Sequence, residues 1–369
     1  MPFLKRCVLV INNRSGKRHA VQNFASTLKG YLNRAGIVHH DVHIPNDDVA
    51  DQLLRTLPQA EALVLCGGDG TVNSVLNLIA AMSSSCTRPS ASVSPPSLLE
   101  SVPLLLVPTG LHNSIATSLG VTSAERAVSS LVVGRTVCVP LWAVHLMHPH
   151  TPSRLFPVRY MCSYIAIGTY AAAVQRQNGW RKAQEEYVSL PTVLGCFTGM
   201  ALCTTIEHAP PSSTAVLTQI SIDKDVATSS RLGPLRLLVA SQMPQLQPGY
   251  SLTPTATYHR RQLTVTTATA EATRMRMWHL LHREAREGYV LAEDGVSLRE
   301  GVQDLRIDFH AASDPPDIAA GLTPPPIDDG GERALGSALL VVDGECVRVP
   351  AGSSVTVTPA GVSVQFIVG

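Results

Sequence analysis

The sequence predicts an α/β protein: an N-terminal doubly wound, three-layer domain over residues 1–140, then a β-sandwich-like domain over residues 141–369. Three observations predict it. Apolar runs and amphipathic stretches alternate through the first 140 residues, as parallel strands joined by crossover helices do. Two of the strand-to-helix junctions are rich in glycine. After Leu141 the texture changes to short β-rich runs in which threonine is frequent.

Taken in order, residues 8–11 read as a buried strand. Asn12-Asn13-Arg14-Ser15-Gly16-Lys17 is a turn, and residues 20–35 an amphipathic helix. A second strand covers 38–44 and a second helix 49–57. The apolar run Ala62-Leu63-Val64-Leu65-Cys66 gives way at Gly67-Gly68-Asp69-Gly70-Thr71 to a helix over 72–82. Residues 83–102 are rich in Ser and Pro and read as a mobile insertion. The strand 104–107 ends in Pro108-Thr109-Gly110, Asn113 opens a helix through Leu119, and another helix covers 124–133. The second part carries strand-like runs at 160–167, 215–222, 235–240, 262–267, 305–309, 338–342 and 354–368. It also has one long helix, 271–287, and a Pro- and Gly-rich loop, 314–331.

The glycine-rich junctions carry the chemistry. Glycine lets backbone N–H groups approach a phosphate with no Cβ in the way, and the helix that follows points its positive end at the same place. Two such strand–turn–helix units imply a nucleotide site at the carboxyl ends of parallel strands. It is expected in the cleft between the two domains.

Composition bounds the rest. The net charge is +1, which leaves no global footprint for nucleic acid. The eight cysteines form no CxxC pair, which points to reduced thiols in a cytoplasmic setting. No apolar run approaches the ~20 residues of a membrane span, while the mean hydropathy leaves room for peripheral membrane contact. His145, His148 and His150 have no nearby Cys or acidic partner and read as ordinary residues, not zinc ligands. Residues 271–287 combine Met275, Met277, Trp278, Leu280 and Leu281 with Arg274, Arg276, Arg283 and Arg286. That basic amphipathic helix either docks on its own domain with a solvated cationic face or meets anionic lipid.

GGDGT followed by PTGxxN, with Asn12-x-x-Ser15-Gly16 upstream and Asp343-Gly344-Glu345 near the end, resembles the catalytic family of diacylglycerol and sphingosine kinases. Leu252-Thr253-Pro254-Thr255-Ala256 is similar to a segment of that family's second domain. The resemblance covers most of the chain. It implies an ATP- and Mg²⁺-dependent lipid kinase whose lipid substrate lies at a membrane surface. By position it implies Asp69, Asp343 and Glu345 as catalytic, with Asp69 also at the metal. It implies Asn12, Ser15, Gly16, Gly67, Gly68, Gly70, Thr71, Thr109, Gly110 and Asn113 around the nucleotide. The chain departs from the family at Asn13, usually Pro, and at Ser74, usually Glu. Leu111 and His112 replace Thr or Ser and Gly, Gly168-Thr169-Tyr170-Ala171 lacks an Asp found in many relatives, and His259-Arg260-Arg261-Gln262 replaces an acidic stretch.

Three functions fit these residues. A lipid kinase needs a phosphate cradle and a carboxylate to accept the hydroxyl proton of diacylglycerol or a sphingoid base. A homologue that has lost catalysis would bind lipid or a partner. An NAD kinase would share the glycine turn, but PTGLHNSIA suits it poorly. Asp343-Gly344 also reads as a plain hairpin turn, and Asp69 as a charge at a helix start.

Overall fold

The computed structural model describes residues 4–16, 18–45, 48–85, 97–110, 113–148, 157–187, 215–222, 227–228, 232, 234–310 and 338–369. The loop expected at 314–331 and the substituted pair Leu111 and His112 lie outside them.

The first part alternates as predicted: β1 (Arg6–Asn12), α1 (Arg18–Arg34), β2 (Val38–Ile44), α2 (Val49–Thr56), β3 (Ala62–Gly67), α3 (Asp69–Ser85), α4 (Ser97–Ser101), β4 (Leu104–Pro108), α5 (Ser114–Ser118) and α6 (Ala124–Val133). The strands pair in parallel in the order β2-β1-β3-β4. Residues 7–11 of β1 are buried at every position, so both faces of the sheet are covered. That accounts for an unbroken apolar run instead of an alternating one. Val21 and Leu28 of α1, Val72 and Leu76 of α3, and Ala127 and Leu131 of α6 complete this core.

The stretch 83–102 is built at its ends. The helix α3 runs on to Ser85, and α4 sets Leu99 into the core. Residues 86–96 lie outside the description. The expectation of a mobile insertion is corrected for residues 97–101, where a leucine with apolar neighbours anchors a short helix.

The second part holds β5 (Arg135–Met147), β6 (Arg159–Met161), β7 (Tyr164–Gly168), α7 (Thr169–Tyr187), β8 (Ala215–Ile222), β9 (Ala227–Thr228), β10 (Leu235–Ser241) and β11 (Leu263–Thr269). Then follow α8, β12 (Val296–Phe309), β13 (Ala338–Val342), β14 (Glu345–Val349) and β15 (Ser354–Val368). The helix α8 runs from Arg274–His279 through a π turn, Leu280–Glu284, to Ala285–Glu287. Strands pair antiparallel in the order β14-β13-β7-β10-β11-β12. Period-two alternation divides β7, β10, β11, β12 and β13 between two cores. Ile165 and Ile167 of β7 face Trp142, Val355 and Val357 on β5 and β15. Tyr164 and Ala166 face Tyr170 and Val174 of α7 and Met277, Leu280 and Leu281 of α8. One face of the sheet therefore meets strands, as a sandwich does, and the other meets helices.

Two strands join the parts. β15 pairs with β5 from Ser354↔Met147 to Val368↔Arg135, and touches β4 at Phe366↔Leu104. Phe366 and Ile367 belong to the first core, Val355 and Val357 to the second. β5 crosses residue 140 in the same way, with Val139 and Leu141 in the first core and Trp142 and Val144 in the second. The run 160–167 breaks at Cys162-Ser163, whose N–H groups leave the ladder for a side chain described below.

Candidate active site

Asn12, Gly67 and Pro108 are the last residues of β1, β3 and β4, so three loops meet at the carboxyl edge of the parallel sheet. Their backbones touch. A Cβ on Gly16, which has φ +53°, would lie 1.8 Å from the Thr109 carbonyl oxygen. A Cβ on Gly110 would lie 2.4 Å from Gly68 Cα, and one on Gly67 would lie 2.3 Å from Thr71 Oγ1. Only glycine permits these approaches. Asn12 locks the first loop: its Oδ1 accepts from the Arg14 N–H at 2.9 Å and its Nδ2 donates to Thr71 Oγ1 at 2.8 Å. The Thr109 N–H donates to the Gly67 carbonyl at 3.1 Å. Asn113 Nδ2 donates to the Gly110 carbonyl at 2.9 Å.

The sequence-predicted residues Asn12, Ser15, Gly16, Gly67, Gly68, Gly70, Thr71, Thr109, Gly110 and Asn113 thus share one edge of the sheet. Thr109 Oγ1 and Asn113 Oδ1 are buried there and have no partner among the described residues. A hydroxyl donor and an amide acceptor left open beside a glycine cradle fit a nucleotide.

The three carboxylates differ in kind. Asp69 is the first residue of α3, three residues earlier than the expected helix start at 72. It is 1% exposed. Its Oδ2 accepts from the Ser114 N–H at 2.8 Å and its Oδ1 from the Ile115 N–H at 3.1 Å, so it caps α5. Burial raises its carboxyl well above the ordinary range; the two N–H donors pull down and Asp343 pushes further up. Asp69, the residue expected at the metal, has each oxygen engaged by one backbone N–H group inside the protein. Among the described residues no group of three His, Cys, Asp or Glu side chains is placed to hold a metal.

Asp343 and Gly344 form a two-residue turn between β13 and β14, with φ +47° and +84°. The hairpin reading is correct for the backbone. The side chain does something else. Its Oδ1 accepts from the Ser163 and Tyr164 N–H groups at 2.7 and 2.8 Å. Its Oδ2 accepts from the Cys162 N–H at 2.6 Å and from Asn73 Nδ2 at 3.0 Å. The side chain is fully buried. Burial pushes the carboxyl up to about 6, against the pull of these donors.

Glu345, the first residue of β14, is exposed. A Cβ on Gly70 would lie 2.7 Å from its Oε1. Its carboxylate therefore reaches over the first turn of α3, where the glycine turn opens. Of the three, it is the carboxylate open to solvent.

Sequence reasoning missed the polar seam that holds these groups in place. Asn73 also donates to the Tyr160 carbonyl at 2.8 Å, and Asn77 Oδ1 accepts from the Tyr160 N–H at 2.7 Å. The Ser114 and Ser163 hydroxyls share a short hydrogen bond. Two asparagines at i and i+4 on an otherwise apolar helix were the legible signal; the serines gave none. The Tyr164 hydroxyl, buried and without a partner among the described residues, lies 4.0 Å from a Cβ built on Gly344. Burial pushes the thiols of Cys7 and Cys66 up to about 12, so neither is a nucleophile.

Residues 6–143 match the diacylglycerol kinase catalytic domain family. Over 147 residues the chain is 28% identical to sphingoid long-chain bases kinase 1 of Arabidopsis thaliana, a stretch that spans 39% of this chain and 18% of that protein. A crystal structure of a diacylglycerol kinase from Bacillus anthracis str. Sterne aligns over 100% of this chain and 98% of its own, with TM-score 0.57 and 12% identity. A second structure from that organism covers 100% of this chain and 97% of its own, with TM-score 0.60 and 12% identity. At such identities the diacylglycerol kinase structures share the fold with this chain. No helix among the described residues is long and apolar enough to cross a membrane. The described cysteines Cys7, Cys66, Cys138, Cys162 and Cys346 are free thiols.

Proposed function

We propose that this chain transfers the γ-phosphoryl group of ATP to the primary hydroxyl of a lipid, diacylglycerol or a sphingoid base. The supporting observation is the placement of Glu345, an exposed carboxylate 2.7 Å from where a Cβ of Gly70 would stand. A kinase needs a proton acceptor beside its phosphate cradle, and this is the carboxylate free to serve. The cradle is formed by the 67–71 turn, with Thr109 and Asn113 offering unused hydrogen-bonding atoms. Mg²⁺, when bound, neutralises phosphate charge, and Glu345 with the nucleotide's own oxygens suits its habit of taking few protein ligands. Asp69 and Asp343 then act as positioning residues: Asp69 fixes the second loop through α5, and Asp343 fixes the hairpin that carries Glu345.

Three observations favour a second reading, a binding module without catalysis. Two of the three acidic residues are sequestered, Ser74 is an exposed hydroxyl where relatives carry Glu, and the 168–171 segment brings no Asp. Labelled ATP with a panel of lipids in detergent micelles decides between them. Phosphorylated diacylglycerol or sphingoid base is expected; no product from any lipid would leave the binding module. Calorimetry should show Mg²⁺-dependent binding of ATP in preference to NAD, and the reverse preference would sink the kinase reading.

The cradle has its own test. Gly110→Ala puts a methyl 2.4 Å from Gly68 Cα and 2.8 Å from its N, so one loop must move. Turnover should fall about a hundredfold while the melting temperature shifts little, since displacement on the ångström scale carries that cost. Unchanged turnover would detach this contact from catalysis.

A further inference from the structure

We infer that the outer face of α8 is a docking surface for an anionic lipid bilayer. The inner face of this helix is settled: Met277, Leu280, Leu281 and Ala285 are buried against the second sheet. Arg276 is only 8% exposed. It pairs with Glu284 at 2.5 Å and donates to the Leu291 carbonyl at 2.6 Å, so it is no part of a solvated cationic face. The outer face is the unusual one. Met275 is 65% exposed and Trp278 is 42% exposed, one turn apart. The Trp278 ring stacks on His282 at 5.0 Å and 24°, which holds it in one orientation at the surface. Arg283 is paired with Glu287, whereas Arg274 and Arg286 make no ion pair among the described residues. The stripe is thus an indole and a thioether flanked by two open guanidinium groups.

That chemistry fits a membrane interface better than a protein partner's apolar groove. Tryptophan sits at the headgroup level with an apolar body and a polar tip, and arginines beside it meet lipid phosphates. The cations are complementary to an anionic leaflet and to nothing in particular on a neutral one. The helix is also tied to the candidate site. The Ala285 carbonyl accepts from the Ser251 N–H at 2.7 Å. The neighbouring Tyr250 ring stacks at 6.4 Å on Tyr170, which meets Tyr164 edge-on at 6.0 Å. Tyr164 is one of the residues that donate to Asp343. Docking through α8 would put on the lipid surface a helix that this chain of contacts joins to the Asp343-Gly344-Glu345 hairpin. The inference draws its purpose from that reading, but its test uses neither nucleotide nor phosphoryl transfer, so the two can fail separately.

The test is co-sedimentation of the full chain with vesicles of phosphatidylcholine, with and without phosphatidylserine, at low and high salt. Wild type should bind the phosphatidylserine vesicles and lose that binding at high salt. The charge reversal Arg274→Glu with Arg286→Glu should weaken partitioning by roughly tenfold or more, and Met275→Ser with Trp278→Ala by a similar factor. All four positions are exposed, so melting temperatures should hold, and Arg135→Glu on β5 should bind as wild type does. Equal binding by wild type and both double variants would overturn the assignment, as would loss of binding in Arg135→Glu. An oligomer that dissociates in the Met275, Trp278 variant, without vesicle binding, would assign the face to a second copy instead.

Discussion

Glu345→Gln should abolish most phosphoryl transfer while leaving the fold untouched. The side chain is exposed and makes no structural hydrogen bond among those described, so its amide has nothing to disrupt. What is lost is the ability to accept the proton of the attacking hydroxyl over the Gly70 turn. General-base removal typically costs about 10²–10⁴ in rate. The measurement is single-turnover transfer to lipid with a melting curve on the same sample. Near-normal transfer would remove Glu345 from the chemistry and leave the kinase proposal without its carboxylate.

Asp343→Asn should behave in the opposite way, losing stability first. Each carboxylate oxygen of Asp343 accepts two N–H donors. An amide nitrogen in place of either oxygen faces two donors with a third. Each buried mismatch costs about 1–3 kcal/mol, so a loss of several kcal/mol is expected in urea unfolding. The same group sets a pH signature. Burial holds the folded carboxyl at about 6, above its unfolded value. The fold therefore binds the proton more tightly, and this contribution to stability is full below the unfolded value of about 4 and is lost as pH rises through 6. Two units amount to about 3 kcal/mol. Unfolding free energies of wild type and Asp343→Asn between pH 4 and 7 should converge as pH rises. A gap that widens with pH would show that the donors, not burial, dominate this carboxylate.

These two outcomes separate two carboxylates that the resemblance treats alike, Asp343 and Glu345. The reason is physical. Spacing places Asp343-Gly344-Glu345 on a hairpin but does not say which carboxylate turns inward. That depends on three N–H groups of the 162–164 segment, distant in sequence and displaced from a strand ladder. The glycine-rich turns were legible because glycine leaves a local signature, strand before and helix after. So were the strands 38–44, 215–222 and 338–342, whose patterns are uninterrupted, and 354–368, whose apolar residues resume after Pro359-Ala360-Gly361. The break at Cys162-Ser163 was not, because both residues sit within an apolar run. Nor was the extent of β12, where Glu300-Gly301 interrupts the pattern. The ion pair of Arg276 and Glu284 also escaped, since an arginine in a basic helix looks solvated until its partner is seen beneath it.

β15 has a consequence for how the chain is made. On the ribosome, the parallel sheet emerges early, and so does β5, yet the partner of Met147 is Ser354 and the neighbour of Leu104 is Phe366. Until β15 arrives, β4 and β5 each expose an unpaired edge, and the first core lacks Phe366 and Ile367. Pairings that distant are slow to form, and open edges recruit other chains. Newly synthesised protein should therefore depend on chaperones until those last strand residues clear the exit tunnel, and a nascent chain stalled before residue 354 should be captured by them or aggregate.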